Sequence, residues 1–140
     1  RSHPNALGPR KRPLQTIIPA FMKRDHLRIG FGVMGGWNQP QAHAQVVSNI
    51  VDHGFNLQHA VEAPRFVKLT FDGLDVMMES RCPKELREAL ARRGHEIDVQ
   101  GEFSNMMGGG QAVMRDERAN VNSGASDPRK DGAAVPEPIL

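Results

Sequence analysis

The sequence predicts an α+β domain with helices packed on a largely antiparallel sheet. Three observations carry this. Two apolar segments, 16–22 and 27–33, flank a polar tetrapeptide. The residues after Pro40 repeat apolar side chains at helical spacing. Later segments return to short strand-like runs with one more helical stretch, grouped more than strictly alternating. A chain of 140 residues fits one core, and with 39% hydrophobic residues, 5% aromatics and no Tyr that core must be built from Val, Ile, Leu, Met and Ala.

Residues 1 to 13 hold three prolines and no periodicity and read as an extended lead-in. The run Thr16-Ile17-Ile18-Pro19-Ala20-Phe21-Met22 reads as a strand whose Pro19 lacks a ladder donor, which favours an edge or a bulge. Lys23-Arg24-Asp25-His26 reads as the turn of a hairpin whose second strand, Leu27 to Val33, runs into Gly35-Gly36. A helix then starts near Pro40, with Ala42, Val46 and Ile50 in one row and Val47 and Val51 beside it, and stops at Gly54. Asn56 caps a shorter helix ending at Ala63-Pro64, and strands at 66–69 and 76–78 flank an Asp72-Gly73 turn. From Pro83 a helix buries Leu86, Ala89 and Leu90, pairs Lys84 with Glu88 and Glu88 with Arg92, and stops at Gly94. Strands at 97–99 and 111–115 follow, and residues 130–140 read as a loose tail.

Composition excludes several classes of function. No apolar run approaches the length of a membrane span, and the start has no signal-peptide pattern, so the chain is expected to be processed or truncated. Compartment stays open between cytoplasmic and exported. The six His residues show no spacing that places two imidazoles on one helix face, so neither a metal nor another cofactor is expected. The single cysteine, Cys82, cannot form an internal disulfide. Net charge is +2, yet seven basic residues and one acid fall within 1–28. A nucleic-acid module using Arg10, Lys11, Arg12, Lys23 and Arg24 would need interleaved aromatics that are missing, so no nucleic-acid partner is expected.

The loop Gly32-Val33-Met34-Gly35-Gly36-Trp37 ends a strand and precedes a helix. Paired glycines there let backbone N–H groups face a ligand with no Cβ in the way, a geometry suited to an oxyanion. Taken alone, the pair reads first as a tight turn. Arg65, Ser126-Asp127-Pro128-Arg129 and Gly108-Gly109-Gly110 read first as structural, the last allowing close backbone passage. Cys82, just before Pro83, reads as a helix cap in place of Ser rather than as a nucleophile.

Arg12-Pro13-Leu14, Pro19, Gly35-Gly36, Ala63-Pro64-Arg65-Phe66 and Gly124-Ala125-Ser126-Asp127-Pro128-Arg129 occur in an order and spacing that resemble the gamma-glutamyltransferases. The stretch Gly35 to Gln41, with His43, resembles a bacterial branch of that family. The resemblance covers about Lys11 to Arg129. It implies an N-terminal-nucleophile hydrolase fold, an αββα sandwich of which this chain, residues 1–140, is the C-terminal part of the small subunit. It further implies a precursor that cleaves itself to expose a threonine. That threonine lies upstream, and Ser2, within a Pro-rich segment, is not its equivalent. The implied activity is cleavage of gamma-glutamyl amides, glutathione-like, with transfer to water or an amino acceptor.

On the same resemblance, Gly35 and Gly36 supply the oxyanion hole. Gln15 and Thr16 stand where the family's paired serines hold the substrate carboxylate. Gln for Ser opens the alternative of a related amide hydrolase with a cephalosporin-acylase-like substrate. The implied partners are the large subunit of the same precursor and a gamma-glutamyl small molecule, and the chain by itself is expected to be inactive.

Overall fold

The computed structural model describes residues 3–136. Positions 1, 2 and 137–140, which include Ser2 and the end of the expected tail, lie outside the described residues.

β1 (Ala20–Arg24) and β2 (Leu27–Met34) form a hairpin closed by Asp25 and His26, with Asp25 at φ 49°. The first strand starts four residues later than the apolar run suggests. Pro19 has no N–H for the ladder, and pairing begins immediately after it at Ala20↔Phe31. α1 (Asn38–Val51) and α2 (Leu57–Glu62) follow, the second capped by Asn56, whose Oδ1 accepts from His59 N at 2.8 Å. β3 (Phe66–Val67) and β4 (Asp75–Glu79) pair antiparallel. α3 (Lys84–Arg92) then crosses to β5 (Glu96–Gln100), which lies parallel to β4. A 3-10 turn at Asn105–Met107 leads into β6 (Gly109–Asp116) and β7 (Val121–Ser126).

The strands make two sheets, ordered β1-β2-β6-β7, all antiparallel, and β3-β4-β5, with one parallel pair. The strand pairing is largely antiparallel, as expected, and the one parallel pair, β4 with β5, forms where α3 supplies the crossover that parallel neighbours need. Alternation along β2 puts Ile29, Phe31 and Val33 on the face that α1 covers, while α2 packs on β6 and β7. Ala42, Val46, Leu57, Val61, Ala112 and Ala125 complete this core. The other face of the sheet carries Gly30 and Gly32 and leaves Phe21 and Val113 exposed.

Two expected apolar stripes are less buried than their spacing suggests. On α1, Ala42 and Val46 are sealed while Val47 and Val51 are exposed, and on α3 no residue is fully buried and Leu86 faces outward. Cys82 does not cap α3. Pro83 holds that position, and Cys82 is buried with its thiol directed at the Arg65 carbonyl.

Along α1, two glutamines one turn apart serve β3 and the residue beyond it. Gln45 donates to Phe66 O at 2.9 Å and accepts from Phe66 N at 3.1 Å. Gln41 makes the same pair with Lys68, both at 2.9 Å. Four helical residues rise about 6 Å and two strand residues about 6.6 Å, so the two periods match here.

Candidate functional site

β2 stops at Met34, and the chain reverses into α1 through Gly35 (φ 137°) and Gly36 (φ 57°). Both carbonyls turn back to the helix: Asn38 N donates to Gly35 O and Gln39 N to Gly36 O, each at 3.1 Å. The N–H groups of Gly35 and Gly36 reach no acceptor among the described residues, and both glycines are exposed. Two free donors thus sit at the positive end of a 14-residue helix, which favours negative charge.

The loop is held from beneath. A Cβ on Gly108 (φ 74°) would overlap the Met34 carbonyl oxygen, so the β5–β6 connection can lie this close only as glycine. Asn38, 1% exposed, fills the space under Gly35. Its amide has no hydrogen-bond partner among the described residues.

Gln15 and Thr16 lie outside any strand and are exposed. The Gln15 amide donates to Ile17 O at 3.3 Å. Gln39 Nε2 donates to Thr16 O at 2.9 Å, and since Gln39 N also binds Gly36 O, one residue ties the 15–16 segment to the glycine loop.

His43 closes the upper end of β2. β1 pairs only as far as Phe31, so the Val33 N–H lies past its end, and His43 Nε2 accepts it at 3.0 Å. This bond requires Nε2 unprotonated, and desolvation by burial lowers the His43 pKa from 6.5. As pH falls below about 6.5 the unfolded chain takes up this proton before the folded one, so folding stability declines with falling pH. A His43→Gln variant is expected to show a flatter stability profile below pH 6.5 in urea titrations. An unchanged slope would remove His43 from the account.

Behind the loop lies a buried ionic cluster that charge alone does not announce in the sequence. Arg65, Glu79, Asp127 and Arg129 are each less than 5% exposed. Arg129 grips Glu79 with Nε at 2.7 Å and Nη2 at 2.5 Å, and reaches Asp127 Oδ1 through Nη1 at 3.0 Å. Arg65 Nη2 meets Asp127 Oδ2 at 2.6 Å, and its Nη1 donates to Met107 O at 3.0 Å. Asp127 also accepts from Gly110 N at 2.9 Å, and Glu79 from Ser104 N at 3.0 Å. Burial lowers the Arg65 pKa; at Arg129 burial pulls the same way, but the hydrogen bonds that Arg129 donates to Glu79 and the charge of Asp127 outweigh it and raise the pKa. Both guanidiniums remain charged. The cluster thereby pins residues 104–110, the segment that supports Met34. Burial also pushes the Cys82 thiol up, with Glu79 adding to it, so the sulfur is kept protonated and unreactive.

Residues 1–137 match the sequence profile of the gamma-glutamyltranspeptidase family. The chain is 36% identical to the glutathione hydrolase-like YwrD proenzyme of Bacillus subtilis, over 96% of this chain and 26% of that protein. It is 32% identical to the oxamate amidohydrolase proenzyme of Klebsiella pneumoniae, over 95% and 26%. The structure superimposes on the cephalosporin acylase from Bacillus halodurans with a TM-score of 0.80, at 42% identity, covering 99% of this chain and 26% of that one. The chain thus spans about a quarter of the length of these relatives. Its two sheets and their helices are part of an N-terminal-nucleophile hydrolase fold. From the family profile and this likeness together, the chain belongs to the gamma-glutamyltranspeptidase family.

Proposed function

We propose that this chain is the C-terminal part of the small subunit of an acyl-transfer enzyme that cleaves gamma-glutamyl amides. The observation that carries the reading is the pair of free, exposed N–H groups on Gly35 and Gly36 at the start of α1. A threonine hydroxyl supplied upstream by the same precursor attacks the amide carbonyl carbon. The carbonyl oxygen takes up the electron pair and is held by the Gly35 and Gly36 donors. Collapse breaks the C–N bond and expels the amine, which takes the proton given up by the threonine hydroxyl, and leaves an acyl ester on the threonine. Water or an amine then attacks that ester and releases the threonine. Each such donor contributes about 3–4 kcal/mol to the transition state. Gln15 and Thr16, tethered to the loop through Gln39, hold the carboxylate of the acyl group.

The large subunit completes the sandwich by covering the open face of the β1-β2-β6-β7 sheet, where Phe21 and Val113 are exposed. The names of two relatives, an oxamate amidohydrolase and a cephalosporin acylase, support a second reading, a related amide hydrolase with a cephalosporin-acylase-like substrate.

The test is expression of the whole reading frame and assay of the self-cleaved product. A gamma-glutamyl anilide should be hydrolysed, and added amine should divert the acyl group into a new amide. Turnover confined to oxamate or to a cephalosporin amide would replace the first reading with the second. The 140-residue chain by itself is expected to show no turnover, because it carries the donors without the attacking group. Hydrolysis by that chain would overturn the assignment of the nucleophile to upstream sequence.

A further inference from the structure

Beside the glycine loop lies a surface cleft of about 480 Å³, walled by Trp37, Pro40, Gln41, Lys68, Leu69, Thr70 and Phe71. Trp37 and Phe71 are 73% and 86% exposed, and their rings meet edge to face at 5.8 Å and 81°. Aromatic side chains this exposed are otherwise costly to leave in water. We propose that Trp37 and Phe71 form a subsite for an aromatic or extended apolar group carried on the nitrogen side of the scissile amide.

Three observations support it. Trp37 directly follows Gly36, so its Cα stands about 3.8 Å from that of Gly36. A substituent on the amide nitrogen therefore has only a short distance to cross once its carbonyl oxygen sits on the loop. The cleft is also preformed. Gln41 holds the Lys68 backbone in both directions at 2.9 Å, and Thr70 and Lys68 fasten the 70–75 turn to Asp75. Its charge is spent internally, since the Lys68 ammonium turns to Asp75 and to the carbonyls of Gly73 and Asp75 at 3.0–3.1 Å. What remains for a ligand is two rings, a proline and a leucine. That lining suits an apolar group and offers nothing to a carboxylate.

The inference rests on the acyl-transfer reading, and its test separates the two. In the self-cleaved enzyme from the whole reading frame, kcat/KM is compared for amides of one acyl group with phenylalanine or glycine as the leaving amine. Trp37→Ala and Phe71→Ala should each lower the phenylalanine-to-glycine ratio by about tenfold. A ratio unchanged in both variants overturns the subsite, as does an equal loss on both amides. Binding of 4-fluorophenylalanine, followed by 19F line broadening, gives a readout independent of turnover. It should be lost in the double variant. If the enzyme turns over no acyl amide the functional reading fails, and retained broadening in the double variant would overturn the subsite on its own.

Discussion

Gly35→Ala is expected to lower kcat about 10²–10³-fold with KM little changed, while Gly36→Ala loses no more than about tenfold. The difference follows from the space around each residue. At Gly35 the φ of 137° is one that L side chains rarely adopt, and a Cβ would stand 3.2 Å from Asn38 Cβ and Nδ2 and 3.4 Å from Gly108 Cα, so the strained loop or the Asn38 side chain beneath it must also give by a few tenths of an ångström. At Gly36 (φ 57°) a Cβ meets nothing within 4 Å, and the left-handed backbone costs only about 1–2 kcal/mol. An oxyanion donor acts on the transition state alone, which is why kcat carries the loss. Proline at Gly36 would be a poorer probe, since its φ near −65° breaks the turn as well as removing the donor. Steady-state kinetics on the self-cleaved enzyme, with self-cleavage scored by gel, checks the pair. Equal losses at both glycines, or a loss confined to KM, would count against an oxyanion role for this loop.

Glu79→Gln is expected to destabilise the folded protein by about 3–5 kcal/mol. Glu79 is fully buried and accepts from Arg129 twice, from Arg81, and from the backbone N–H groups of Arg65 and Ser104. Neutralising it leaves the Arg129 guanidinium facing an amide, some of whose positions are themselves donors. The surface pair Lys84–Glu88, at 3.6 Å and largely solvated, is the control, and Glu88→Gln should cost at most about 0.5 kcal/mol. Urea midpoints at neutral pH give both numbers. A loss below about 1 kcal/mol for Glu79→Gln would mean that water or a counter-ion reaches the cluster.

Much of this fold was legible because local chemistry and tertiary structure agree. The Asn56 cap, the Pro83 to Gly94 limits of α3 and the row Ala42–Val46 each satisfy a helix rule and find the packing that rule anticipates. β7 was not legible. Its sequence, Val-Asn-Ser-Gly-Ala-Ser, has neither alternation nor bulk, and it is a strand because β6 offers it a ladder from Gln111↔Ser126 to Asp116↔Val121. The ionic cluster was hidden for a different reason. Arg65, Glu79, Asp127 and Arg129 are far apart in sequence, and charged side chains ordinarily belong to solvated faces, so only the folded chain reveals that two cations and two anions neutralise one another. The glycine loop was recognisable from its paired residues and their family setting, whereas Asn38 beneath it and the Gln39 tether to Thr16 carry no local signature.

The paired amides of Gln41 and Gln45 have one more consequence. By presenting a donor and an acceptor at strand spacing, α1 imitates a neighbouring strand along the outer side of β3. The smaller sheet is therefore terminated on that side by a helix, and its unpaired hydrogen-bonding groups are hidden from any passing chain. Among the described residues, the edge of that sheet left open to a further strand is the outer side of β5.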